Sequence, residues 1–208
     1  VIIMVAGMRG GSGRTTTAYG LAAAAALMGQ TVRLILVDGV GIADGAGGGD
    51  WKSWPISIHT GHAEDVPGWL AARTAPDEVV IVDLPPGRHA SLEHADVIVV
   101  PVHHRACMPR PSAGAETGPL RLLGVEHLIT AGRPLVVVPC RVLPRERADE
   151  LRAAGRDGGV YVAEAEIGET KALRMAITPY AVAWAALAPL HLPLWQEVAH
   201  QAEARTVR

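Results

Sequence analysis

A chain of 208 residues is long enough for one domain with a sizeable core and too short for two ordinary ones. With 49% hydrophobic and 19% charged residues and a net charge of −2, it is neither a disordered chain nor a strongly basic nucleic-acid binder, although a local basic patch stays open. Its two cysteines, Cys107 and Cys140, exclude a disulfide framework and a four-thiolate metal site and fit a reducing compartment.

In chain order, Val1–Val5 is an apolar run that predicts a strand. The glycine-rich stretch Arg9 to Thr16 follows at once, and Thr15 to Met28 reads as a helix with Leu21, Ala22, Ala25 and Met28 on one face and Gly29 as its stop. A second strand is expected over Val32–Val37, closed by Asp38, and then a glycine-dominated loop over Gly39–Gly49. Further strands are expected at Val79–Val82, Val97–Val100 and Leu135–Val138, with Asp83 closing the first of these. Pro101–Pro119, with four prolines and the His103-His104 pair, reads as a loop. Pro144–Ala154 and Leu194–Ala204 read as helices. None of the apolar runs alternates with polar residues, so each strand is expected to be buried on both faces. Strands alternating with helices then give an α/β fold, a mostly parallel twisted sheet flanked by helices, over a single domain 1–208. No apolar run has the length of a membrane span. The first residues lack a basic region ahead of an apolar one, so the expected location is cytoplasmic.

The loop is where chemistry is expected. Strand, glycine loop and helix in succession are the context of a phosphate-binding loop. Glycines let the backbone turn tightly enough to aim several N–H groups inward, and the helix N-terminus adds partial positive charge. Gly10, Gly11, Ser12 and Gly13 are expected to cradle phosphate, and Thr15 or Thr16 to offer a hydroxyl to a magnesium ion. Asp38 and Asp83, each ending a strand at the same sheet edge, supply carboxylates that hold a metal shell or orient an attacking water.

In these motifs the chain resembles the ParA/MinD family of P-loop ATPases, the deviant Walker A group. The family pattern Lys-Gly-Gly-x-Gly-Lys-Thr-Thr lies on Arg9 to Thr16, its second-strand Asp on Asp38, and its Asp-x-Pro-Pro-Gly on Asp83 to Gly87. Ala95 to Val102 matches the strand that usually follows. Asp50-Trp51-Lys52-Ser53-Trp54 is similar to the tryptophan segment of small plasmid-type ParA proteins. The match covers residues 1–140 well and 141–208 only in layout. The resemblance implies ATP and Mg²⁺ as cofactors and a homodimer formed on ATP binding. It also implies nonspecific DNA and a small DNA-binding protein as partners. The tail Gln196 to Arg208 lacks a strong basic amphipathic character, so no membrane anchor is expected there. The resemblance further implies that Arg9 reaches the partner's phosphates, Arg14 contacts the β and γ phosphates, Asp38 orients water, and Thr15 and Asp83 serve the metal.

Departures from the pattern matter as much. Arginine stands at both lysine positions. A guanidinium is planar and bulkier than an ammonium, so Arg14 is expected to misplace its charge by about an ångström, which costs roughly 100-fold in rate. At Arg9 an arginine acting in trans is chemically acceptable. Gly39, Val40, Gly41 and Ile42 follow Asp38 where the family continues with a second carboxylate. Near Ile167 to Ala176, Gly168 and Glu169 replace the usual proline and arginine, so adenine selectivity has no support. The His59-x-x-His62 and His103-His104 pairs lack companion ligands and read as solvated histidines. Residues 141–174 hold seven basic and seven acidic side chains, which an ordinary charged helix face explains as well as a DNA surface does. The expectation is a ParA-like switch with slow hydrolysis that segregates or positions DNA. The alternatives are a nucleotide-binding pseudo-ATPase that acts through a partner, and a positioner of protein cargo.

Overall fold

All five apolar runs form strands, and they lie side by side in one parallel sheet. The computed structural model describes residues 1–7, 11–38, 54–72, 75, 77–87, 91–103, 128, 132–140, 145–168, 173, 177–178 and 181–206. The elements are β1 (Ile2–Val5), α1 (Arg14–Leu27), β2 (Val32–Val37), β3 (Ile56–Gly61), α2 (Val66–Ala71), β4 (Val79–Asp83), β5 (Val97–His103), β6 (Leu135–Cys140), α3 (Arg145–Asp157), β7 (Tyr161–Val162), β8 (Ile177–Thr178), β9 (Ala181–Val182) and α4 (Trp184–Thr206). Short 3₁₀ turns at Ala63–Asp65 and Leu92–His94 precede α2 and β5.

The seven-stranded sheet has the order β3-β2-β4-β1-β5-β6-β7, every pairing parallel, and β8-β9 form a separate antiparallel ribbon. After β1 the chain first builds outward on the β4 side and later on the β5 side. The crevice at the carboxyl end of β1 is therefore the topological switch point, where open α/β sheets take their ligands.

Each strand divides its residues between two cores by simple alternation. Ile3, Val5, Leu34, Ile81 and Val99 join one cluster with α1 and α4, whereas Met4, Ile35, Val82 and Val100 join the other with α2 and α3. Helix α1 is buried nearly all round between the sheet and α4, and its run Ala22–Ala26 supplies the small side chains that let both neighbours approach. It stops where expected. Gly29 has φ 82°, its N–H bonds to Ala26 O at 2.9 Å, and the Gln30 N–H reaches back to Ala25 O at 3.1 Å, a Schellman ending.

Three expectations are corrected. Strand β3 is absent from the sequence reading because it is an edge strand: only Ile56 and Ile58 face the core, and Ser57, His59 and Thr60 are exposed. Residues Pro101–His103 are strand rather than loop. β1 pairs with β5 only as far as Val5 opposite Val99, so the N–H that Pro101 lacks falls past the end of β1. Helix α4 begins at Trp184 rather than Leu194 and runs through Pro189 and Pro193. Its buried stripe of Trp184, Leu187, Ala188, His191, Leu194, Trp195, Val198 and Ala202 recurs every three or four residues, and that packing outweighs two missing backbone donors.

Candidate functional site

The register Val5↔Asp83 sets the end of β1 beside the end of β4, and the glycine loop leaves from that point. Gly11 and Gly13 adopt φ of 74° and 93°, left-handed values that glycine takes without a Cβ penalty. Gly13 is the N-cap of α1, with no side chain to satisfy the first-turn N–H groups and no acidic residue in that turn. Those donors and the helix dipole thus point into the loop uncompensated, as an anion site requires. The Thr17 hydroxyl donates to Gly13 O at 2.9 Å and holds the cap in place.

Thr15 and Asp83 meet: the Thr15 hydroxyl donates to Asp83 Oδ2 at 2.7 Å. Asp83 is buried, and its Oδ1 has no hydrogen-bond partner among the described residues. Burial pushes the Asp83 carboxyl above the usual carboxylate range, while the Thr15 hydroxyl and the Arg14 charge pull it back. The Ser12 hydroxyl is likewise buried with no partner among the described residues. A buried carboxylate oxygen and an adjacent hydroxyl are hard oxygen ligands of the kind Mg²⁺ takes, and an unpartnered loop hydroxyl can donate to a phosphate oxygen, so these residues fit the group. Thr15 and Asp83 would hold the metal, directly or through water.

Arg14 reaches elsewhere. Its Nη1 donates to the Leu84 carbonyl in the turn after β4, and its Nε is buried with no partner among the described residues. Burial pulls its pKa down and Asp83 pulls it up. The path of this side chain depends on Gly7, where a Cβ would lie 3.1 Å from Arg14 Cδ. Gly7 also accepts the Gly87 N–H at 3.1 Å, and Val5 accepts the Leu84 N–H at 3.0 Å, so the Leu84–Gly87 turn is laced to the loop. Neither Gly7 nor the Leu84 carbonyl stands out in the sequence. Both act through backbone, which carries no residue signature.

Asp38 lies at the same edge with φ 52°, a left-handed conformation that Asp tolerates better than most residues. Its N–H donates to Gly61 O at 2.8 Å, and its Oδ1 lies 3.1 Å from His62 Nδ1. This pairing was not foreseen, because only the β2–β3 register brings positions 38 and 62 together. Cys140, at the end of β6, is buried against the loop, with Sγ 3.7 Å from where a Gly13 Cβ would sit. Ile167 bridges to Cys140, which carries the segment after β7 to the same edge. Arg9, Gly10, Gly39 to Asp50, Trp51, Cys107 and His104 lie outside the described residues, as does most of the stretch Ile167 to Ala176. Thr16 lies in the first turn of α1, half-buried. Trp54 packs against the core. His59 is exposed on β3, and no cluster of three or more metal-binding side chains occurs among the described residues.

A glycine loop leaving the central strand of a parallel sheet, followed by a helix and faced by the neighbouring strand's aspartate, is the arrangement of the P-loop NTPase fold. Comparison with solved structures finds the same fold. MinD from Pyrococcus horikoshii, complexed with Mg-ADP, superposes with a TM-score of 0.63 over 95% of both chains at 16% identity. McdA from Cyanothece in its apo form gives 0.57 at 16% identity, covering 96% of this chain and 98% of that one. A plasmid partition protein from Borrelia burgdorferi gives 0.57 at 13% identity, covering 92% and 97%. At such identities the likeness is one of fold, and it is the fold of the ParA/MinD-type proteins that the loop and strand motifs resemble. No family model matches the sequence, and no curated protein matches it significantly.

Proposed function

We propose that this chain is a ParA-like nucleotide switch, in which Mg-ATP bound at residues 9–16 drives formation of a homodimer that positions or segregates DNA cargo. The observation that carries the reading is the Thr15–Asp83 pair at 2.7 Å, seated where the glycine loop opens onto the first turn of α1. The Mg-ADP held by the Pyrococcus horikoshii relative is in keeping with it. Gly10, Gly11, Ser12 and Gly13 cradle phosphate through backbone N–H groups, Thr15 and Asp83 serve the metal, Asp38 orients water, and Arg9 acts across the dimer. In the first test, ATP binding and steady-state turnover are measured with Mg²⁺ for wild type and Arg14→Lys. Wild-type turnover that duplex DNA or a partner raises supports the switch. Gel filtration that stays monomeric under saturating non-hydrolysable ATP overturns the dimer, and DNA retardation that ignores ATP overturns the DNA cargo.

A second reading, a pseudo-ATPase that senses nucleotide and acts through a protein partner, is favoured by one observation. Arg14 is committed to the Leu84 carbonyl, which ties the phosphate loop to the turn after β4. If that contact persists with nucleotide bound, Arg14 holds the site together without reaching the γ-phosphate. Restoring lysine then raises turnover by about 100-fold, with ATP affinity changing far less.

A further inference from the structure

His62 has no part in the family pattern, yet it is the side chain that the fold delivers to Asp38. β2 and β3 run in parallel with Val37 opposite Gly61, so the residue after each strand emerges at the same edge. The Asp38 N–H on Gly61 O, at 2.8 Å, extends this ladder by one step. The His62 backbone is held by Asp65. Its N–H donates to Asp65 Oδ2 at 3.0 Å, and its carbonyl accepts the Asp65 N–H at 3.0 Å. Gly61 just before it lies flat beneath Trp69, where a Cβ would meet the indole at 2.4 Å. A fixed backbone thus presents an imidazole to a carboxylate whose own backbone sits in the left-handed region.

We propose that His62 is a positioning residue for Asp38: its Nδ1–H holds Oδ1 at 3.1 Å and leaves the second carboxylate oxygen to take the attacking water. This rests on the reading of Asp38 as the water-orienting group. Three carboxylates face the ring, Asp38 itself and then Glu64 and Asp65 from the turn before α2. Their combined field raises the His62 pKa, with the Asp38 hydrogen bond as the main cause, and favours the protonated ring that donates best. The ring is largely exposed, at 73%, so its value to the protein lies in direction rather than in stability.

The test separates this role from the nucleotide reading. ATP turnover is measured for wild type, His62→Ala and His62→Asn, each also in an Arg14→Lys background, alongside an NMR titration of the His62 imidazole. The side-chain nitrogen of asparagine falls close to the place of Nδ1. The expected result is a kcat lowered about tenfold in His62→Ala with KM for ATP nearly unchanged, and recovery of most of that loss in His62→Asn. In the titration, Asp38→Asn is expected to lower the His62 pKa toward its ordinary value. Turnover that is equal in His62→Ala and wild type, or an imidazole indifferent to Asp38→Asn, overturns the positioning role and leaves the ATPase reading standing. No turnover in either wild type or Arg14→Lys overturns the ATPase reading, and the positioning role with it.

Discussion

At the scale of single residues, the site is a set of short polar side chains whose value comes from where the backbone stops. Thr15 sits in the first turn of α1 and Asp83 at the last position of β4, so a hydroxyl and a carboxylate meet without either leaving regular structure. Thr15→Ala removes the donor that lowers the Asp83 pKa and, on the proposed reading, one oxygen that would serve the metal. The expected outcome is a loss of about 1–2 kcal/mol, roughly tenfold, in Mg-dependent nucleotide affinity, with nucleotide binding in chelator unchanged. Titration calorimetry with and without Mg²⁺ checks this. Gly7→Ala acts on the same site from behind. With a Cβ only 3.1 Å from Arg14 Cδ, the arginine side chain has to give by a few tenths of an ångström, which disturbs its bond to the Leu84 carbonyl.

At the scale of elements, the pairing of α1 with α4 holds the loop's helix against the sheet, and its tightest point is Gly20 against His191. A Cβ on Gly20 would lie 2.2 Å from the ring, and the ring is fully buried and cannot retreat. Gly20→Ala is therefore expected to destabilise the fold by about 1–3 kcal/mol, seen as a lower urea midpoint. His191 also makes this interface sensitive to acid. Its Nδ1 lies 3.0 Å from the Leu187 carbonyl, which can only accept, so Nδ1 carries the proton and the buried Nε2 is bare. Burial pulls the His191 pKa below 6.5, and the Leu187 bond offsets this in part. The unfolded chain therefore takes up a proton before the folded one does. The stability that neutral His191 confers is present above about pH 6.5 and drains away as pH falls through the lower folded value. Melting temperature should hold from about pH 8 to 7 and fall below that, and His191→Gln should flatten the acid-side decline.

At the scale of the whole molecule, the two edges of the sheet serve different ends. The carboxyl edge carries the loop, Asp38, Asp83 and Cys140, whereas the amino edge carries a buried ion pair. Arg33 and Glu78 meet at 3.0 Å with almost no exposure, and the same guanidinium donates to Trp69 O and Ala72 O at the end of α2. Glu78→Gln leaves a buried guanidinium short of its counter-charge and is expected to cost about 3–5 kcal/mol in denaturant unfolding. Nucleotide affinity of the fraction that remains folded should be unchanged, because the pair lies at the far end of the strands. Charge on α3 behaves differently. Arg152 is engaged by Asp149, Glu164 and Glu166, at 3.2, 3.2 and 2.9 Å, so it contributes little positive field to a DNA surface.

The central strands and the glycine loop are legible in the residues alone. Five double-sided apolar strands need no partner information to be recognised, and a glycine loop between strand and helix encodes its geometry locally. The places of Thr15, Asp83 and Asp38 at one sheet edge are legible for the same reason: each is tied to the end of a regular element. Tertiary structure decided the rest. Strand β3 exists because β2 offers it an edge, α4 runs through two prolines because its apolar stripe covers α1, and β5 extends past Pro101 because β1 has already ended. His62 reaches Asp38 only through the register of two strands, and Arg14 reaches Leu84 past Gly7, where a Cβ would crowd its Cδ. These are long-range juxtapositions, set by packing between segments distant in the chain, and local patterns of residue type carry no record of them.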